Sequence, residues 1–147
     1  FTQKYGDDLK RIEEVEYRLE FPIHDEGVTS ATIMGKVDVI LRNGGELEVR
    51  EYKSSKEARI LEEEVSTQIR LYTVGLKTMG RSVSSGSVAY LEEDPKVEPV
   101  DVSEQRLTEA KQNAQKVVEQ IAKRKFKPTP GKSCARCDQS QICRWKK

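Results

Sequence analysis

The tripeptide Asn43-Gly44-Gly45, set between two runs of alternating apolar and polar residues, constrains this 147-residue chain more than any other feature. Asn-Gly and Gly-Gly supply the left-handed backbone that a two-residue β-turn needs, so the flanking runs read as an antiparallel hairpin. The strands would span about Ser30 to Leu41 and Glu46 to Lys53. With Gly44-Gly45 as the turn, residues whose numbers sum to 89 face one another, and Asp38 lies opposite Glu51. Lys53, two residues beyond Glu51, points to the same face because strand side chains alternate. Two carboxylates directly across a sheet repel. A hard divalent cation between them, with Lys53 alongside, turns that repulsion into a ligand set. Surface acids and lysines placed for solubility and weak ion pairs are the plainer reading of the same residues.

The rest of the chain builds around this hairpin. Residues 1–11 suggest the end of a helix with Tyr5, Leu9 and Ile12 as a weak stripe. From Glu14 the period becomes two, with Val15, Tyr17, Leu19 and Phe21 alternating with charged residues up to Pro22. A loop over His24 to Gly27 leads into the hairpin. A helix over about Ala58 to Met79 carries Leu61, Val65, Ile69, Tyr72 and Leu76, with Gly80 as its C-cap. Strands are expected at Ser87 to Leu91 and Val97 to Val102. Ser103 would then cap a helix with the stripe Leu107, Ala110, Ala114, Val117 and Ile121. Three strands, a helix, a strand or two and a helix predict an α/β class fold around one mixed sheet.

Charge is unevenly spread. The net charge is +1, but residues 123–147 hold nine Lys/Arg against Asp138 alone, while residues 1–122 hold 17 basic against 24 acidic residues. A length of 147 residues suits one domain, divided into a core over 1–126 and a basic tail over 127–147. No apolar run approaches the roughly 20 residues of a membrane span, and the opening residues lack the pattern of a secretory signal. An intracellular, cytoplasmic setting without a membrane partner follows as the expectation; the absence of an initial Met suggests a fragment of a longer polypeptide.

All three cysteines lie in the tail as Cys134-x2-Cys137-x5-Cys143. An odd, clustered set is a poor disulfide framework and suits metal or cluster ligation. Closed zinc sites and iron–sulfur clusters normally take four protein ligands, and the single histidine, His24, is far away in sequence. A fourth ligand upstream, an open site and free thiols all remain open. On the helix after the hairpin, Gln68 and Tyr72 are four apart and share a face, where a core aromatic and a boundary amide are the plain reading.

Taken in order, Gly35-x-x-Asp38, Glu51-x-Lys53, Gln68-x-x-x-Tyr72 and the cysteine triplet resemble the RecB-like branch of the PD-(D/E)xK nucleases, and within it the iron–sulfur subset. That subset includes the nuclease domains of AddB-type and UvrD/Rep-type helicase-nucleases and the CRISPR-associated RecB-like exonucleases. The resemblance implies a restriction-endonuclease-like core, a central mixed sheet flanked by helices, with a C-terminal cysteine loop. It implies a DNA nuclease, an exonuclease by analogy, in which Asp38, Glu51 and the backbone carbonyl of Tyr52 hold Mg²⁺ or Mn²⁺. Lys53 would position or activate the water, and Gln68 and Tyr72 would hold the strand or orient the site. Glu16 stands where relatives often carry an acid and is a further candidate ligand. Cys134, Cys137 and Cys143 would be three of four ligands of a structural [4Fe–4S] cluster, with zinc as the alternative. The family's remaining Cys and a metal-binding His precede the first strand and are not seen in this chain; His24 is not assigned that role. Single-stranded DNA and a helicase domain or subunit are the implied partners, in DNA repair. Lys123, Arg124, Lys125, Lys127, Lys132, Arg136 and Arg144 would meet phosphates. A CRISPR-associated exonuclease, a non-catalytic DNA-binding module and a zinc-ribbon interaction domain are the alternatives.

Overall fold

A computed structural model describes residues 2–23, 31–54, 62–91 and 96–145. The elements follow the order α1 (Thr2–Leu9), β1 (Ile12–Ile23), β2 (Ala31–Asn43), β3 (Glu46–Lys53), α2 (Glu62–Thr78), β4 (Val83–Tyr90), β5 (Lys96–Val100) and α3 (Glu104–Ala122). A short 3₁₀ turn, Lys132–Arg136, follows in the tail. The strands form one sheet in the order β1-β2-β3-β4-β5, antiparallel except for the parallel pair β3/β4. That parallel pair requires a crossover, and α2 supplies it. The protein has the α/β fold expected of a restriction-endonuclease-like core, a mixed sheet flanked by helices.

The hairpin register is the one the turn dictates: Asn43 pairs with Glu46, Ile40 with Val49 and Val39 with Arg50, and Gly44 has φ +63°. Leu47 and Val49 of β3 alternate with Glu48 and Arg50, and so the strand separates two different environments. The apolar side joins Val65, Ile69, Tyr72 and Leu76 of α2 in the main core, with Leu19, Phe21 and Ile23 of β1. Two glycines let the layers close. A Cβ on Gly75 would lie 2.5 Å from the Phe21 ring, and one on Gly35 would lie 2.5 Å from Tyr72 Cε1.

The opposite side of β3 is polar yet buried. Arg50 donates from Nη2 to Glu48 Oε1 (2.7 Å) and from Nε to Ser87 Oγ (3.0 Å), while Ser87 Oγ donates to Glu48 Oε1 (2.6 Å). Arg50 also pairs with Asp8, and Arg11 Nη2 donates to Glu48 Oε2 (3.0 Å). Asp8 and Arg11 come from α1 and the turn after it. These ions tie that helix to the sheet, whereas Leu9 and Ile12 of the expected stripe are exposed.

Several boundaries differ from the sequence pattern. β4 begins at Val83, four residues before the expected Ser87, because Ser84-Ser85-Gly86 carry no apolar alternation to mark it. Ser103 occupies the N-cap of α3 without a side-chain cap bond; its own N–H is instead bonded to Asp101 Oδ1 at 2.9 Å. Of the α3 stripe only Leu107 and Ala110 are buried, with Ala114 packed partly against the core, whereas Val117 and Ile121 are 54% exposed. His24, the loop to Gly27 and the expected first turns of α2 from Ala58 to Leu61 lie outside the described residues. No described helix is long and apolar enough to cross a membrane.

Candidate active site

The hairpin places its carboxylates where β2 and β3 stop pairing. Val39↔Arg50 is the last ladder pair. One residue further, Asp38 Oδ2 accepts a hydrogen bond from the Tyr52 N–H at 2.9 Å, so the side chain takes over from the missing ladder partner. The β2 alternation slips here: Val37 and Ile40, three apart, both belong to the core. Across the ladder on β1, between the pairs Val15↔Val39 and Tyr17↔Val37, lies Glu16 with φ +51°. A left-handed non-glycine residue costs about 1–2 kcal/mol, and the strain sits at the point where the strands change phase.

Glu51 is 4% exposed and divides its two oxygens between different tasks. Oε1 accepts from Lys53 Nζ at 2.7 Å and from Gln68 Nε2 at 3.1 Å. Oε2 is buried and has no hydrogen-bond partner. An orphaned anionic oxygen in a buried site is costly unless something positive meets it. Burial pushes the Glu51 carboxyl above the usual carboxylate range; the Lys53 hydrogen bond opposes the rise and the neighbouring Asp38 charge adds to it.

The polar chain continues into α2, where Gln68 Nε2 also donates to Tyr72 Oη at 2.7 Å. The Tyr72 ring is buried against Gly35, as its reading as a core aromatic expects, and its hydroxyl ends the chain of polar groups from Glu51. Thus Asp38, Glu51, Lys53, Gln68 and Tyr72, far apart in sequence, meet at one end of the β2–β3 hairpin under α2.

Other expected residues are not gathered there. The Glu16 carboxylate pairs with Lys36 on an exposed surface. Among the described residues no three Asp, Glu, His or Cys side chains converge on a common metal position. Two carboxylates with one free oxygen nevertheless fit Mg²⁺ or Mn²⁺, since such ions commonly take one or two protein carboxylates and complete their shell with water and substrate phosphate. The cysteines supply three donors, one short of a closed four-ligand site: Cys134, Cys137 and Cys143 are free thiols, and among the described residues they do not converge on a common metal position. Cys134 Sγ does accept the Gly131 N–H at 3.3 Å, and turn hydrogen bonds from Cys137 N–H to the Cys134 carbonyl and from Ser140 N–H to the Cys137 carbonyl shape the loop.

The Glu48–Arg50–Asp8–Arg11 network is the feature sequence reasoning missed. Its signal was the alternation of charged with apolar residues on β3, which reads equally as a solvent-facing side.

A family model described as the PD-(D/E)XK nuclease superfamily matches residues 2–144. The chain belongs to this superfamily. The triplet Glu51-Tyr52-Lys53 has the lettering (D/E)-x-K of the superfamily's name, and Asp38 is preceded by Val37, not Pro. Enzymes of the PD-(D/E)XK superfamily typically use Mg²⁺ or Mn²⁺. The fold is also found in SSO0001, with a TM-score of 0.67 and 20% identity over 98% of this chain and 65% of that one. A Eubacterium rectale protein provisionally named an exonuclease is similar with a TM-score of 0.57 and 14% identity, over 99% and 57%. The chain thus spans less than two thirds of either protein. Comparison with curated proteins gives no match.

Proposed function

We propose that this PD-(D/E)XK domain hydrolyses phosphodiester bonds of DNA, single-stranded by preference, with a divalent cation held by Asp38, Glu51 and the Tyr52 carbonyl. The observation that carries the reading is the buried, unpartnered Oε2 of Glu51 beside a second carboxylate. A cation bound there would lower the pKa of a water molecule, neutralise phosphate charge and stabilise the leaving oxygen. The chain's own groups do the rest. Lys53 and Gln68 hold Oε1, leaving Oε2 for the ion. Asp38 is fixed by the Tyr52 N–H. The Lys53 ammonium, bonded to Glu51 Oε1, would orient the attacking water, and Tyr72 Oη accepts from the amide of Gln68.

The setting we propose is a helicase-associated nuclease acting in DNA repair or recombination, inside the cell, with residues 1–126 as the catalytic core and 127–147 as a basic tail. In this reading Cys134, Cys137 and Cys143 join a fourth donor outside the described residues to ligate a structural [4Fe–4S] cluster, with zinc as the alternative. The test is cleavage of end-labelled single-stranded DNA with Mg²⁺ or Mn²⁺. Wild type cuts and chelator stops it, whereas Asp38→Asn and Lys53→Ala do not cut although they remain folded. Equal cleavage by wild type and both variants would sink the assignment. Anaerobically purified protein should be brown and contain iron; a colourless protein with stoichiometric zinc contradicts the cluster.

A further inference from the structure

The second half of α3 shows a face that the fold leaves uncovered. Val117 and Ile121 are 54% exposed, and Phe126 just beyond the helix is 72% exposed. The chain does not simply run off the helix end. Lys125 N–H bonds the Gln120 carbonyl at 2.8 Å and Arg124 N–H bonds the Ile121 carbonyl at 2.9 Å. This is the paired 6→1 and 5→2 pattern of a Schellman turn, with Arg124 at φ +52° in the position glycine usually takes. The turn folds the following segment back along the helix. Val117, Gln120 and Ile121 then form one side of an open groove of about 520 Å³, and Lys125, Phe126 and Lys127 the other.

The chemistry of this groove is specific. An exposed aromatic ring sits inside Lys123-Arg124-Lys125-Phe126-Lys127. Lys123 is paired with Glu119 (3.0 Å), while Arg124, Lys125 and Lys127 have no acidic partner among the described residues. Pro128 and Pro130 hold the next residues extended. An apolar protein segment would be matched to Val117 and Ile121 but not to this run of unpaired cations. A strand with a π-face and a phosphate on every unit matches both, because base stacking on aromatics and phosphate contacts from Lys/Arg are the two means by which single strands are held without sequence preference.

We propose that Phe126 and the Val117/Ile121 face form a base-stacking subsite for single-stranded DNA, with Lys125 and Lys127 on the flanking phosphates and Gln120 at a base edge. The subsite rests on the nuclease reading only in that the strand it holds is that enzyme's substrate; binding itself requires no metal. It makes Phe126 a positioning residue, distant in sequence from the cleavage site.

Binding of labelled oligothymidylate is measured in EDTA, and cleavage with Mn²⁺ on the same preparations. Phe126→Ala should weaken binding about 5- to 140-fold, the range of one stacked base, and its effect on cleavage should fall on KM rather than kcat. Phe126→Trp should restore affinity; in a Trp145→Phe background, the fluorescence of the new indole should be quenched by DNA. Lys125→Gln with Lys127→Gln should lower the salt slope by about 1.4, at roughly 0.7 per phosphate contact on a single strand. The exposure of Phe126 means these variants should melt as wild type does. Unchanged affinity in Phe126→Ala, with wild type cutting DNA, overturns the subsite and leaves the nuclease reading standing. Conversely, wild type that binds in EDTA through Phe126 but never cuts with Mn²⁺ supports the subsite and sinks the nuclease reading. An indole at 126 that is unresponsive to DNA, or is quenched only as the protein self-associates, shows a protein-covered face and overturns the proposal.

Discussion

Glu51 carries the sharpest consequence at the level of single residues. Its folded-state carboxyl titrates above the ordinary range because it is buried, an effect opposed by Lys53 and reinforced by Asp38. A raised acid favours the folded state only while protonated. Its contribution to stability is therefore full below the unfolded carboxylate pKa and is lost as pH rises through the folded value. In EDTA at neutral pH, Glu51→Gln should melt at a higher temperature than wild type, and the gap should close below about pH 4. Mg²⁺ should raise the melting temperature of wild type but not of Glu51→Gln, since a ligand stabilises only the state that binds it. A lower melting temperature for the variant at pH 7 in EDTA contradicts the reading of Oε2 as an uncompensated anion. Asp38 separates structure from chemistry in another way. Asp38→Asn keeps an acceptor for the Tyr52 N–H, whereas Asp38→Ala orphans that group at a cost of about 1–3 kcal/mol. Both should lose cleavage, and thermal melts should show only the alanine variant destabilised.

Among the elements, β3 is the hinge of the account, since one strand serves two faces. Its Val49 and Glu51 side meets α2 and the candidate site; its Glu48 and Arg50 side holds α1 through a buried ionic network. Arg50→Ala would take from buried Glu48 and half-buried Asp8 one of their two shared partners, Arg11 remaining on both, so the cost should be about 1–3 kcal/mol, below that of a fully broken buried pair. Chemical denaturation measures that loss directly, and a cost under about 1 kcal/mol would show that α1 does not depend on the network. Glu48 is held below the usual carboxylate range: its burial works against ionisation, but the Ser87, Arg50 and Arg11 contacts outweigh it. The network's contribution is accordingly present at neutral pH and is lost as pH falls through that depressed value.

The same strand shows what was legible beforehand. Asn43-Gly44-Gly45 set the hairpin register as far as Val39↔Arg50, because a two-residue turn leaves no freedom in pairing; the expected Asp38↔Glu51 pair is not in the ladder, and Asp38 bonds the Tyr52 N–H instead. Helical spacing put Gln68 and Tyr72 on one face of α2, as their hydrogen bond requires. The ionic network was not legible, since a charged side of a strand reads as solvent-facing until a helix is known to cover it. Nor was the slip at Glu16 and Asp38, because a period-two pattern assumes an unbroken pleat. The α3 stripe was read correctly as apolar, but periodicity carries no information about whether a partner element reaches all of it; Val117 and Ile121 lie past the point where α2 and the sheet do.

Over the whole molecule, the near-neutral charge of +1 divides into an acidic body over residues 1–122 that contains the Asp38–Glu51 site and a basic stretch over residues 123–147 that contains Phe126 and the three cysteines. Body and tail would act on one substrate, the first on a scissile phosphate with a cation, the second on the strand through stacking and phosphate contacts. Cleavage by this site depends on the cation. Titration of Mn²⁺ into the protein, followed by the loss of its free electron paramagnetic resonance signal, tests it most directly. Wild type should take up Mn²⁺ at a site that Mg²⁺ competes for, and Asp38→Asn and Glu51→Gln should each remove it. Undiminished Mn²⁺ uptake in both variants, with the fold intact, would contradict the central claim.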